Sequence, residues 1–351
     1  MIGVGLVTFV AIFAAGLKDS FTGAIDRTLQ GDLIIRTDNF DPFPAASEQE
    51  VRSVPGVEAT EFLRFPEIRA EPGGTQFLNT IDPAEAARVF DFDWQGDASD
   101  TLFAQLGTDG ALIETNLAKS SGLRTGDSFT VTTNRGNQGR FTVLGEYRDP
   151  VLFTGITVSN AAADRLDVPP DPSVGVVAFE PEADADAVQQ EVSDRIEQQF
   201  PVVNVQSNAE FKDDWESQID QLLSLLYALL GISLIISLFG IVNALVLSIY
   251  ERTREIGMLR AIGTTQRQMR SIVRYESIIT AVIGGVLGIL IGVFFAWILT
   301  RGLEDEGIGF SLPVLTLVIF LVLAVLAGVL AAVLPARRAA RLNPLEALHH
   351  E

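Results

Sequence analysis

"LLSLLYALLGISLIISLFGIVNALVLSI", residues 222–249, runs for 28 residues without one charged side chain. A helix of that length exceeds the roughly 30 Å of hydrocarbon in a bilayer, which about 20 apolar residues already cover. A buried helix of a soluble domain is the competing reading. Two further uncharged runs, "IITAVIGGVLGILIGVFFAWIL" (278–299) and "LPVLTLVIFLVLAVLAGVLAAVL" (312–334), argue against it. Three such runs in one chain call for spanning helices, the form in which a lone segment can satisfy its backbone in lipid.

A fourth run, "MIGVGLVTFVAIFAAGL", offers 17 uncharged residues before Lys18 and has no basic n-region of the kind a signal peptide carries. It reads as a spanning helix that begins early rather than as a cleaved leader. The expectation is that the natural chain starts upstream, or that Met1 lies inside a longer protein.

The remainder has a different character. Of the 45 acidic residues 37 lie in 1–221, against 15 basic ones, whereas 222–351 hold 8 acidic and 10 basic. The average composition, 48% hydrophobic with 20% charged, therefore hides an acidic polar part and an apolar one. Cysteine is absent, which excludes disulfide frameworks, thiolate metal sites and cysteine nucleophiles. The two histidines, His349 and His350, stand at the C-terminus and are assigned no chemistry.

Arginine placement orients the spans, because basic residues in short loops resist translocation. The loop after the 222–249 run holds Arg252, Arg254, Arg260, Arg267, Arg270 and Arg274, and the tail adds Arg337, Arg338 and Arg341. The 300–311 turn has only Arg301 against Glu304, Asp305 and Glu306. The predicted architecture is an α+β membrane protein with four transmembrane helices (1–17, 222–249, 277–299, 312–334). A large mixed α/β extracytoplasmic domain, 18–221, is inserted between the first two; 250–276 form a cytoplasmic elbow, 300–311 a short external loop and 335–351 a cytoplasmic tail. Gly284, Gly288 and Gly292, and likewise Ala324, Gly328 and Ala332, recur every four residues, putting small side chains on one face where helices can pack closely. The few polar residues of the runs (Ser233, Ser237, Asn243, Thr280) offer no charged pathway across the membrane.

In the acidic part "GDLIIRT" (31–37), "ALIET" (111–115), "SFTVTT" (128–133), "RFTVLGEY" (140–147) and "VGVVAF" (174–179) read as strands. "DADAVQQEVSDRIEQQF" (184–200) reads as an amphipathic helix, with Asp184 as N-cap and Pro201 as its stop. Two subdomains are expected, a continuous piece near 40–160 and a strand–helix–strand part near 173–207 that pairs back to the segment after the first span. No nucleophile elbow, zincin, P-loop or calcium-loop pattern occurs anywhere. The carboxylates of 91–94, 180–186 and 213–214 could hold cations weakly, but their excess is spread along the region as on a solvated acidic surface.

The basic loop carries the most specific pattern. "ERTREIGMLRAIG" (251–263) sets Ile256, Leu259 and Ile262 at three-residue steps, and Gly263 stops the helix. Thr265 with Gln268 then forms a capping box that starts a second helix. On these grounds alone the elbow serves headgroup anchoring and protein docking equally well.

"YERTREIGMLRAIGTTQRQM" (250–269) resembles the signature after the second span of the FtsX/MacB-like permeases of ABC transporters, and "LPARRAARLNPLEALHHE" (334–351) resembles that family's C-terminal ending. "VPGVEAT" (54–60), "ALIETNLAKSSGLRTGDSFTV" (111–131) and "FTVLGEY" (141–147) are similar to its extracytoplasmic domain. The resemblance implies a permease without ATPase activity of its own, paired as a homodimer or with a fused second permease unit. It implies a cytoplasmic ABC ATPase subunit that binds ATP and Mg, so that no cofactor is expected in this chain. The coupling residues would be Glu251, Arg252, Glu255, Ile256, Gly257, Leu259, Arg260, Ala261 and Gly263. The output would be export or extraction of an envelope-facing substrate, with an adaptor outside, or regulation of a cell-wall hydrolase or sensor. No nucleic-acid partner is expected. Family members usually carry a cytoplasmic segment before the first span, which this sequence lacks.

Overall fold

The computed structural model describes residues 2–252, 255, 258, 259 and 262–340. They fall into two compact units, one of Met1–Leu17, Gln218–Gly302 and the segment from Gly309 onward, the other of Lys18–Ser217 and Leu303–Ile308. In chain order the elements are α1 (Ile2–Thr28), β1 (Leu33–Arg36), α2 (Ala46–Arg52), β2 (Val57–Leu63), β3 (Glu67–Glu71), β4 (Gly74–Ile81), α3 (Ala86–Val89), β5 (Trp94–Gln95) and β6 (Gly110–Glu114). They continue with α4 (Thr115–Ser121), β7 (Ser128–Thr133), β8 (Gln138–Tyr147), β9 (Ile156–Ser159), α5 (Asn160–Arg165), β10 (Val174–Phe179), α6 (Ala185–Gln199) and β11 (Asn204–Ser207). Three long helices close the described chain: α7 (Asn208–Glu251), α8 (Gln266–Gly302) and α9 (Val314–Ala340).

In the α/β unit, β1 and β10 are apolar on both faces because both faces are covered. Leu33 and Ile35 pack with Val188, Val192 and Ile196 of α6, while Ile34, Val174 and Val176 turn to a central aromatic cluster with Phe90, Phe92 and Phe153. Their sheet runs β11-β1-β10-β2, antiparallel throughout. The strand–helix–strand segment β10-α6-β11 thus pairs back to the strand that follows α1. The Asp184 carboxylate accepts from the Ala187 amide and opens α6, and Pro201 follows its end at Phe200.

The second sheet runs β5-β8-β6-β9-β4-β3-β7, with β7 returning to β8. The β7–β8 pairing closes β8, β6, β9, β4, β3 and β7 into a barrel, parallel only at β4–β9 and β6–β8, while the two-residue β5 pairs with β8 alone. Here one face is wet, so β7 and β8 alternate, and Phe129, Val131, Phe141 and Val143 fill the interior. The expected continuous piece near 40–160 needs correction, since β2 leaves it for the other sheet. Ala59 and Leu63 of β2 enter the central cluster and Phe62 the α6 cluster, so that strand belongs where both faces can be buried.

Among the described residues three helices are long and apolar enough to cross a membrane: Ile2–Thr28, Gln266–Gly302 and Val314–Arg337. The uncharged 222–249 run lies within α7. The side chains of Ser233 and Ser237 are outside the described residues. Glycine brings backbones together at two seams. A Cβ on Gly292 would stand 2.5 Å from the Gly5 carbonyl oxygen and 2.7 Å from Thr8 Cβ, and one on Gly5 would stand 3.1 Å from the Gly288 carbonyl oxygen. A Cβ on Gly285 would lie 3.6 Å from Ala324 Cβ, and one on Gly328 would lie 2.5 Å from Ala281 Cβ. Gly288, Gly292, Gly328 and Ala332 are buried, Gly284 and Ala324 half-buried. The α8 stripe therefore meets α1, and the α9 stripe meets a neighbouring face of α8.

Candidate coupling region

The region between α7 and α8 begins where helical hydrogen bonding runs out. The Arg252 amide still reaches the Ser248 carbonyl at 3.1 Å, and its guanidinium spans Glu255 (3.4 Å) and Glu276 (3.5 Å). Glu276 lies on α8, so Arg252 ties the two sides of the elbow together. Both partners are half-exposed or more, and such pairs contribute about 0–1 kcal/mol, enough to bias an arrangement but not to fix it.

The break itself is set by backbone chemistry. Gly263 has φ +107°, which a side chain disfavours, although a Cβ there would meet nothing within 4 Å. Just before it the Ile262 amide donates to Met258 and the Thr264 amide to Leu259, at 3.1 Å each. The next helix starts with reciprocal bonds: the Gln268 side-chain oxygen accepts from the Thr265 amide at 2.9 Å, and Thr265 Oγ1 accepts from the Gln268 amide at 3.3 Å. Beneath the elbow Met269 and Val273 of α8 and Ala336 of α9 form a small buried cluster with Ile249 of α7.

Of the residues assigned to coupling, Glu251, Arg252, Glu255, Leu259 and Gly263 are described, and all five are exposed. Ile256, Gly257, Arg260 and Ala261 lie outside the described residues, as do Thr253 and Arg254. Met258, Leu259 and Ile262 present apolar surface, Ile262 at 82% exposure. An exposed apolar group beside several arginines suits either a protein face or a headgroup layer.

A second element escaped sequence reading. Residues 303–308, the turn between α8 and α9, pack within the α/β unit. The Asn116 side-chain amide donates to the Asp305 carbonyl, the Lys119 ammonium lies 3.2 Å from the Asp305 carboxylate, and Gly307 (φ +81°) sits against Pro150. Glu114, which caps α4 through the Asn116 amide, is raised from its usual range by burial, against the lowering effect of those amide bonds. No local pattern in the sequence pairs positions 116–119 with 305. Among the described residues no group of three or more His, Cys, Asp or Glu could hold a metal ion.

Two family profiles match: a MacB-like periplasmic core domain over residues 1–195 and an FtsX-like permease C-terminal region over 227–344. The macrolide export ATP-binding/permease protein MacB of Bdellovibrio bacteriovorus is 32% identical over 158 residues, 44% of this chain and 24% of that protein. Its Escherichia coli K12 counterpart is 39% identical over 120 residues, 34% of this chain and 18% of that protein. The matched region thus spans a quarter or less of these relatives. Among solved structures, the periplasmic region of MacB from Actinobacillus actinomycetemcomitans aligns with TM-score 0.42 at 9% identity, covering 55% of this chain and 95% of that one. The extracellular domain of the noncanonic ABC-type transporter YknZ aligns with TM-score 0.38 at 15% identity, covering 51% and 100%. With one profile covering more than half of its residues and a second covering the elbow and the helices around it, the chain belongs to the FtsX/MacB-like family of ABC transporter permeases.

Proposed function

We propose that this chain is the membrane subunit of an ABC-type system, in which a cytoplasmic ATPase drives motion of the α/β domain to export or extract an envelope-facing molecule. ATP and Mg belong to that ATPase, on a separate subunit or on another part of a longer polypeptide. In this reading α1, α7, α8 and α9 cross the cell membrane, 18–221 face outward, both ends are cytoplasmic, and a second permease unit completes the assembly.

The observation that carries the reading is the elbow. The left-handed break at Gly263, a capping box and exposed Leu259 and Ile262 lie inside the segment matched by the permease profile. Glu251, Arg252, Glu255, Ile256, Gly257, Leu259, Arg260, Ala261 and Gly263 are its docking residues. Motion received there passes along α7 and α8 to the α/β domain, where 303–308 provides a further point of attachment.

The test is ATPase stimulation and co-purification in the reconstituted complex. Gly263→Val, strained by its backbone alone, and Arg260→Glu should each lower stimulation about tenfold or more, while Arg337→Ala leaves it near the parent level. Full stimulation in both elbow variants would reduce the elbow to a headgroup anchor.

A further inference from the structure

Two buried carboxyl groups of the α/β unit stand beside the 303–308 turn. Glu114, 3% exposed at the end of β6, accepts the Asn116 amide at 2.6 Å through Oε2, while its Oε1 is buried without a hydrogen-bond partner among the described residues. Asp149, 4% exposed, accepts the Val151 and Leu152 amides through Oδ1 at 3.1 and 2.8 Å and the Thr28 hydroxyl through Oδ2 at 2.9 Å. A buried carboxylate oxygen without a donor is costly, and taking up a proton relieves that cost.

Both groups shape the places where the turn is held. Glu114 caps α4, whose Asn116 side chain donates to the Asp305 carbonyl, and Asp149 folds the loop whose Pro150 and Val151 lie against Gly307. Glu306 lies between those two points of attachment, so seating the turn brings a third carboxyl to the same spot. The electrostatics agree. Burial raises the Glu114 carboxyl above its usual range, the Asn116 and Leu117 amides lower it, and the charges of Asp149 and Glu306 add to the rise. Asp149 is likewise raised by burial, against the amides and the hydroxyl that it accepts. Cations are scarce around them. Lys119 of α4 is exposed and pairs with Asp305, and Arg148 is exposed. Tyr147, opposite Glu114 in the β6–β8 pair, is a buried phenol raised by burial and bonded to Thr157, whereas Glu146 stands on the other face of β8. The β9 strand beside β6 has no titratable residue.

Linkage fixes the direction of any effect. A carboxyl that the seated turn raises holds its proton more tightly in the seated form. Seating is therefore favoured below the ordinary carboxyl range, and that advantage is lost as pH rises through the seated value. We propose that Glu114, Asp149 and Glu306 form a proton-operated latch, which seats the 303–308 turn on α4 and the 149–151 loop in acid and loosens it as the carboxyls ionise. Under the outward orientation proposed above, the latch reads the pH outside the cell. It needs no nucleotide and no ATPase, so its failure would leave the coupling reading intact.

The experiment uses the full chain in detergent. Cysteine is absent from the sequence, so Glu304→Cys places a single spin label on the exposed turn. Electron paramagnetic resonance reads the ratio of mobile to immobile label, which in the parent should rise about threefold or more between about pH 5 and about pH 8. Glu114→Gln keeps an oxygen for the Asn116 amide without the charge, and Glu306→Gln changes only the exposed turn; each should flatten the rise and hold the ratio near its acid value. Glu61→Gln, at a buried carboxyl outside the latch, should leave the rise whole. Should Glu114→Gln fail to fold, Glu306→Gln decides by itself. An equal ratio at both pH values in the parent, a full rise in Glu306→Gln, or loss of the rise in Glu61→Gln would overturn the proposal.

Discussion

The two units bury side chains under different solvents. In the α/β unit large apolar residues go inside, as with Phe90, Phe141 and Ile35, and buried charges need partners. Arg64 is the clearest case, reaching Asp164 at 2.8 Å, Asn160 at 2.9 Å and Thr80 at 3.2 Å. In the helical unit many large apolar residues point outward, with Phe239 at 70% and Leu315 at 75% exposure, and the seam between α1 and α8 is lined by Gly5, Thr8, Gly288 and Gly292. Size is inverted between the units because lipid gives leucine no reason to hide, so that association depends on close backbone approach. Small residues are therefore structural in one unit and mostly conformational in the other.

The largest effect expected of that contrast is at Gly292. A leucine there would drive its Cβ into the Gly5 carbonyl, and overpacking of this kind costs about 1–3 kcal/mol where neighbours can shift and more where backbone is the obstacle. Gly292→Leu should abolish a monodisperse detergent-solubilised protein or lower its thermal midpoint by many degrees. Gly302→Leu, with nothing within 4 Å of a Cβ, should leave both unchanged. Equal behaviour of the two would mean that the seam does not hold the helices.

Next comes Glu61, a buried carboxyl that its neighbours only half satisfy. It is 1% exposed; its Oε1 accepts from the Asp82 amide at 2.9 Å, while Oε2 has no partner among the described residues. Burial pushes this carboxyl well above the usual range, against the lowering effect of the Asp82 amide. The folded state therefore keeps a proton that an unfolded glutamate releases near pH 4.3, so stability falls as pH rises from about 4.3 through the folded value. Glu61→Gln removes that dependence. Thermal unfolding should show the variant more stable than the parent at pH 8, with the gain gone below about pH 4. A gain that is the same at both pH values would show that titration of Glu61 is not its source.

Legibility followed the same division. The apolar runs and the capping box are local patterns, and so the helices, the Gly263 break and the start of α8 could be read directly. So could β7, β8 and α6, whose alternation or helical periodicity records one wet face. β2 and β11 were harder, β2 because two covered faces erase alternation and β11 because it is short and partly exposed. Sheet membership of β2 and the packing of 303–308 on α4 depend on pairings more than a hundred residues apart, for which one sequence holds no local mark. In the candidate site Gly263, Thr265 and Gln268 announced themselves by residue type. The carboxyls beside the 303–308 turn did not, because Glu114, Asp149 and Glu306 look like ordinary acidic residues until the fold brings them together.

A smaller effect is expected at Thr265. Loss of its hydroxyl leaves the Gln268 amide uncapped, and N-cap replacement by alanine costs about 1 kcal/mol. Hydrogen exchange at Gln268 and Met269 should speed up about fivefold in Thr265→Ala, with the α/β unit unaffected. Faster exchange throughout α8 would show that the cap governs the whole helix rather than its first turn.

The smallest effect on stability, and the sharpest on the comparison, concerns Lys119 and Asp305. Their side chains are 61% and 75% exposed, so water screens the pair and its worth falls in the range of about 0–1 kcal/mol. Lys119→Ala should therefore change the unfolding midpoint of the α/β unit hardly at all. Asn116→Ala removes the other bond to residue 305, and the double variant leaves Gly307 against Pro150 as the main remaining contact. If 303–308 is an attachment rather than a loop lying on a surface, the double variant should raise proteolysis between Gly302 and Gly309 several-fold while the barrel stays resistant. It should also lower ATP-driven output of the assembled system more than either single variant does. Unchanged cleavage in the double variant would mean that the turn is held by its own backbone, leaving α1 and α7 as the connections that matter.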